Sequence, residues 1–126
     1  MNIVIKLAKE YQIPYIRLVN EPIYFGTSKL FRNIQLLFLK FLSELAGHKI
    51  KKAGLKHNDY FIGFTNAMKL SRQDIEHADE LAEKYPNKII ELCCHPGYED
   101  ESLRKTYGRW DDHGWENELK VLAQLP

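Results

Sequence analysis

The run from Lys88 to Cys94, Lys-Ile-Ile-Glu-Leu-Cys-Cys, is stopped at once by His95-Pro96-Gly97, and it constrains the fold more than any other segment. A nearly continuous apolar run of strand length is the kind buried on both faces, as in parallel sheets. A parallel strand needs a crossover to its neighbour, usually a helix. Residues 71–85 supply one. Ser71 and Asp74 have the spacing of a capping box, Ile75, Ala78, Ala82 and Tyr85 form an apolar face, and Pro86-Asn87 ends the pattern.

The rest of the chain repeats this alternation. Residues 2–12 read as a helix with Val4, Leu7, Ala8 and Tyr11 on one face, ended by Pro14. Tyr15 to Val19 read as a short strand and residues 20–27 as a loop. A long helix follows from Ser28 to Ala46, with Leu30, Ile34, Leu37, Phe41 and Leu45 as its main stripe, Phe31, Phe38 and Leu42 widening it, and Gly47 as its C-cap. So broad an apolar surface suggests a helix wedged between other elements. His48 to Asp59 reads as a basic irregular segment, Phe61 to Phe64 as a strand, residues 98–112 as a polar, aromatic loop, and Trp115 to Leu125 as a final helix with Trp115, Leu119 and Leu122 on one side. The order α-β-α-β-α-β-α defines an α/β fold of alternating helices and parallel strands. With 126 residues the chain is one domain, 1–126.

Composition excludes several classes of function. The formal net charge is +1, which argues against a nucleic-acid surface. The apolar fraction of 44% and charged fraction of 28% are those of a globular protein. The longest apolar stretch, Ile34 to Leu45, is interrupted by Gln35, Lys40, Ser43 and Glu44 and is too short for a membrane span. No signal peptide is visible after Met1-Asn2-Ile3-Val4-Ile5-Lys6, and the only cysteines are the adjacent pair Cys93 and Cys94, so a reducing, cytoplasmic setting is expected. No Gly-x-Ser-x-Gly, phosphate-binding loop, dinucleotide fingerprint or His-Glu-x-x-His is present.

In parallel α/β folds ligands bind at the C-terminal ends of the strands. Three segments meet that condition: Arg17 to Glu21, Thr65 to Met68, and His95 to Tyr98. Pro96 holds His95 extended and Gly97 lets the chain turn, so the imidazole is placed for acid or base work, or else simply ends a strand and bonds a carbonyl. A metal at Cys93, Cys94 and His95 is opposed by strand alternation, which turns Cys94 away from the other two; two buried apolar thiols are the simpler reading. Asp111-Asp112 read as caps of the last helix, with His113 in the same helix start. His77 reads as solvated, and His48 and His57 as part of a solvated basic loop. Arg17, inside an apolar strand and four residues before Glu21, either pairs with that carboxylate or holds a polar substrate. Tyr98, Tyr107 and Trp110 either stack on a sugar ring or pack within their loop.

Glu91-Leu92-Cys93-Cys94-His95-Pro96-Gly97-Tyr98, with Glu118-Leu119 and Leu122 behind it, resembles the C-terminal half of YdjC-type carbohydrate deacetylases, a family that includes chitooligosaccharide deacetylases and hopanoid-biosynthesis-associated deacetylase-like proteins. Leu7-Ala8-Lys9-Glu10-Tyr11-Gln12-Ile13-Pro14, Ile16-Arg17-Leu18 and Glu21 resemble the same family's middle segment. The resemblance implies a partial distorted (β/α) barrel and metal-dependent removal of N-acetyl groups from amino sugars or oligosaccharides, with Mg or Zn polarising the acetamide and activating water. It implies His95 as the catalytic proton donor and Arg17, Glu21 and Tyr98 as substrate-binding residues. Family members are longer. Their metal ligands, an aspartate and two histidines, lie upstream of the part matched here, and their sequences continue to a further strand. The expectation is therefore a C-terminal portion without metal ligands of its own, not active alone, that either forms a homodimer or needs an N-terminal half to cover its exposed faces. The alternative is a non-catalytic dimeric α/β remnant that binds carbohydrate or a protein partner.

Overall fold

The computed structural model describes residues 1–22, 30–67, 69–107 and 114–125, and the side chains of 30–33, 103, 104 and 107 are outside that description. The described elements run α1 (Asn2–Glu10), α2 (Leu30–Lys52), β1 (Tyr60–Ile62), α3 (Arg72–Lys84), β2 (Ile90–Leu92), α4 (Glu101–Tyr107) and α5 (Trp115–Leu122). β1 and β2 pair in parallel, Tyr60 with Ile90, Phe61 with Glu91 and Ile62 with Leu92, and α3 is the crossover between them. The mixed α/β character expected from the sequence is present.

Tyr15 to Val19 do not form a full strand. The segment touches the 56–61 region by one parallel bridge, Tyr15 to Lys56, and by the Phe61 N–H donating to the Asn20 carbonyl at 3.0 Å. Between these points the side chain of Asn58, fully buried, takes over the ladder. Its Oδ1 accepts the Leu18 N–H at 2.7 Å, and its Nδ2 donates to the Leu18 carbonyl at 2.7 Å and the Tyr60 carbonyl at 3.0 Å. An amide that replaces backbone pairing leaves the segment extended but out of register for a strand.

Two helices end by the same device. After α2 the Leu55 N–H bonds the Ile50 carbonyl at 3.1 Å and the Gly54 N–H bonds that of Lys51 at 2.9 Å, with Gly54 at φ +79°. After α1 the Ile13 N–H bonds the Ala8 carbonyl at 2.7 Å, with Gln12 at φ 54°. Both are Schellman closures, which use otherwise orphaned carbonyls. Gly47 is thus not the C-cap of α2: the helix runs through it to Lys52. A Cβ on Gly47 would lie 3.1 Å from His57 Nε2 and 3.3 Å from Leu18 Cδ1, so glycine there allows close packing inside the helix. His57 is accordingly half-buried, with Nδ1 2.6 Å from the Asn58 carbonyl oxygen, whereas His48 lies exposed on α2; neither belongs to a solvated loop.

The core is small: Leu18, Ala46 and Ile50, with Ile5, Ile16 and Leu55 packed against it. Leu36, Phe61, Ile62, Leu70 and Ile75 are the other large buried apolar side chains. This departs from the expected faces of the first two helices. Of the face expected on α1, Ala8 is buried while Val4, Leu7 and Tyr11 turn outward; α2 buries Leu36, Ser43, Ala46 and Ile50 and exposes Ile34, Leu37, Phe41 and Leu45 of its expected stripe. On α3 Ile75 is buried and Ala78 half-buried, while Ala82 is exposed. His77 is half-buried and has interactions of its own. Residues 101–107, expected as loop, are helical. Glu101 lies in the first turn and Thr106 Oγ1 donates to the Ser102 carbonyl at 2.9 Å. Charged residues of good helix propensity suffice there without an apolar stripe. Trp110, Asp111, Asp112 and His113 lie outside the described residues.

Candidate active site

The parallel segments have two different faces. Ile16 and Leu18 turn toward the helices, and the Tyr60 ring stacks on Tyr85 at 5.5 Å. The alternate residues form a polar array on the other side. Glu91, paired in register with Phe61, accepts the Tyr15 hydroxyl proton at 2.8 Å on Oε2 and forms an ion pair with Arg17 Nε through Oε1. The Arg17 guanidinium also lies 5.7 Å from the centroid of the Phe61 ring. Burial first, then the hydrogen bond to Glu91, pushes the Tyr15 pKa up to about 12, so the phenol is a donor throughout the physiological range. The hydrogen bond that Arg17 donates to Glu91 raises the Arg17 pKa. Arg17 therefore pairs with Glu91 and not with Glu21, four residues away. The one signal for Glu91 in the sequence is a lone carboxylate inside an apolar strand, which needs a partner but does not say which.

His95 continues this array past the end of β2. Its Nε2 lies 4.0 Å from Cys93 Sγ, and its Nδ1 is buried without a hydrogen-bond partner among the described residues. Cys94 turns the other way, where burial and the charge of Glu118 raise its thiol pKa. The expected alternation is present, but both cysteines are half-buried rather than enclosed. The backbone of His95 is fixed by Glu118 of α5, 1% exposed, whose Oε2 accepts the His95 N–H and whose Oε1 accepts the Leu70 N–H at 3.0 Å. Glu118 was not singled out for a role from the sequence. Its signal is positional: it shares the side of α5 that Trp115, Leu119 and Leu122 occupy.

Glu21 is buried too. Its Oε2 accepts the N–H groups of Phe64 and Thr65, both at 2.9 Å, which ties the 14–22 segment to the chain leaving β1. Burial outweighs these bonds and raises its pKa. Gly63 makes the turn at this strand end: with φ +116° it brings its backbone against β2, where a Cβ would lie 2.7 Å from the Cys93 carbonyl oxygen. Tyr98 is 82% exposed and lines a shallow groove with Glu116, Leu119, Lys120 and Ala123. Gly97 joins that region to α5 by its N–H, 3.3 Å from the Trp115 carbonyl oxygen.

The structure thus gathers Tyr15, Arg17, Glu91, Cys93 and His95 along one face, places Glu21 at the neighbouring strand end in a bonded, buried position, and leaves Tyr98 on a separate groove. No hydrogen bond or ion pair joins Arg17, Glu21, His95 and Tyr98 to one another. Among the described residues no three His, Cys, Asp or Glu side chains are grouped to hold a metal ion. No helix among them is long and apolar enough to cross a membrane.

The chain belongs to the YdjC-like family, whose pattern it matches over residues 1–125, and that family is of carbohydrate-deacetylase type. Neither the curated proteins nor the solved structures contain a match to it.

Proposed function

We propose that this chain supplies the proton-donating and substrate-binding side of a carbohydrate N-deacetylase acting on N-acetylated amino sugars or their oligomers. His95 is the catalytic residue. Water adds to the acetamide carbon, and the His95 imidazolium gives a proton to the amide nitrogen as the C–N bond of the resulting tetrahedral adduct breaks, so that acetate and a free amine leave. The observation that carries this reading is the fixation of the His95 backbone at the end of β2 by the buried Glu118 carboxylate, with the imidazole beside Cys93 on the side of the strand that carries Glu91. Arg17 offers the rest of its guanidinium to sugar oxygens while Glu91 and Tyr15 hold it in place. Tyr98 offers an exposed ring for stacking. Glu21 acts through the strand-end loop it ties down.

The parallel β1–β2 pair, the parallel bridge at Tyr15 and the helices gathered on one face support a partial distorted (β/α) barrel with the polar array on its inner side. The divalent metal expected of the reaction has no fitting set of ligands among the described residues. The part we assign to this chain is proton transfer and sugar binding.

The test is acetate release from N-acetylglucosamine oligomers with added Mg²⁺ or Zn²⁺, by the chain alone and complemented with the upstream half of a longer family member. Release is expected on complementation, and His95→Ala is expected to lower it by roughly 10²–10⁴ with an unchanged far-UV spectrum. Full activity of that variant would assign proton donation to another group.

A further inference from the structure

Cys93 and Cys94 are adjacent and both half-buried, yet the fold gives them unlike surroundings. Alternation along the extended chain sends them to opposite sides. On the Cys94 side, burial first and then the Glu118 carboxylate raise the thiol pKa. That sulfur stays a protonated, weakly nucleophilic thiol at neutral pH. On the Cys93 side, the sulfur lies 4.0 Å from His95 Nε2. The Arg17 guanidinium is also within electrostatic reach: its pKa is raised by the hydrogen bond to Glu91 first and, among smaller causes, by the charge of Cys93. Arg17 is paired with Glu91, so the base at the sulfur is the imidazole.

Both members of this Cys93–His95 pair are fixed through the backbone. The Cys93 N–H donates to the Ile62 carbonyl at 2.8 Å, and the turn at Gly63 packs on Cys93 so closely that a Cβ there would lie 3.2 Å from the Cys93 Cβ. The His95 N–H donates to Glu118. One residue separates the two, so the extended chain itself keeps their side chains on one side. His95 Nδ1 is enclosed by the protein, which leaves Nε2, the nitrogen at the sulfur, to exchange a proton. A nucleophile, a base within reach of its proton and a fixed orientation for that base are the parts of an activated thiol.

We propose that Cys93 is a modification site: a thiol that His95 activates for oxidation by small hydroperoxides. His95 Nε2 takes the thiol proton, and the sulfur attacks the terminal peroxide oxygen. The S–O bond forms as the O–O bond breaks. The leaving oxygen takes the proton from Nε2 and departs as water or an alcohol. Sulfur is oxidised from thiol to sulfenic acid, and the peroxide is reduced by the same two electrons. Arg17 attracts the negative charge that the sulfur carries during attack. Cys94 does not close a disulfide with the product: it points away, and its Cα is one peptide, about 3.8 Å, distant, closer than a disulfide accepts. Sulfenic acid is therefore what accumulates. Deacetylase activity plays no part in this reaction.

The test is trapping of sulfenic acid with dimedone in the full chain, exposed to stoichiometric hydrogen peroxide and read by intact mass over time. Cys94→Ser, which keeps Cys93, is expected to take the label, and Cys93→Ser to take it at least about tenfold more slowly. In concentrated urea the two are expected to react alike, because unfolding gives both thiols the same surroundings. His95→Ala in the Cys94→Ser background is expected to slow labelling at least about tenfold with unchanged far-UV circular dichroism. Equal native rates for the two single-cysteine proteins, a difference that persists in urea or full reactivity of the His95→Ala protein would each overturn the proposal. Should His95→Ala fail to fold, Cys94→Ser alone decides: its labelling is expected to be faster folded than in urea, and an equal or lower folded rate overturns the proposal.

Discussion

The strand ends and the outward face of α2 are opposite solutions within one small domain. At the strand ends, polar groups are buried and bonded: Glu118 holds the backbone of His95 and Leu70, Glu21 that of Phe64 and Thr65, and Asn58 that of Leu18 and Tyr60. On α2, Ile34, Leu37, Phe38, Phe41, Leu42 and Leu45 remain 43–61% exposed. Buried polar groups gain little net stability when paired and lose much when left unpaired, so they specify one geometry. Exposed apolar groups specify no geometry until a surface arrives. The strand ends are fixed by bonds within the chain; the outward face of α2 is not.

The largest effect that would break this contrast is at Asn58. Asn58→Asp sets a carboxylate against the Leu18 and Tyr60 carbonyls at a site with no exposure, and should cost about 4 kcal/mol at neutral pH by urea denaturation. A cost near zero would mean that the amide is not what holds the 14–20 segment. Gly63→Ala comes next. The left-handed φ and the approach to Cys93 together predict a loss of about 2 kcal/mol, read by the same method. The smallest effect sharpens the contrast through pH. The raised pKa of Glu21 means that the folded chain binds this proton more tightly than the unfolded one. Its contribution is full below the ordinary carboxyl value of 4.5 and fades as pH climbs through the folded value. Denaturation midpoints from pH 4 to 7 should show that decline, and Glu21→Gln, which keeps a carbonyl acceptor, should flatten it.

Much of the strand-end region was legible because each signal there is local. The Ser71–Asp74 pair is an N-terminal lock: the Asp74 carboxylate accepts the Ser71 N–H at 2.8 Å and its hydroxyl at 2.6 Å. The apolar run before His95-Pro96-Gly97 contains β2, and alternation separates Cys93 from Cys94. The α2 region was not legible, because a helix apolar on two sides gives no sign of which side meets the sheet. The deciding contacts, Leu18 with Ala46 and Ile50, cross from a different segment. Asn58 and the Arg17–Glu91 pair escaped for the same reason: their partners lie 40 and 74 residues away. No turn or cap pattern marks such pairings.

The carboxylate of Glu118 also sets an order of assembly. Its two acceptor bonds reach back 48 residues to Leu70 and 23 to His95. During synthesis both amides leave the ribosome before their acceptor exists, so the strand end bearing His95 stays unlatched while the earlier helices and β1 can already pack. Only when α5 emerges and docks does the histidine acquire its fixed position. The position of His95 is thus fixed only after β1 and β2 have been made, by a helix that follows them in the chain.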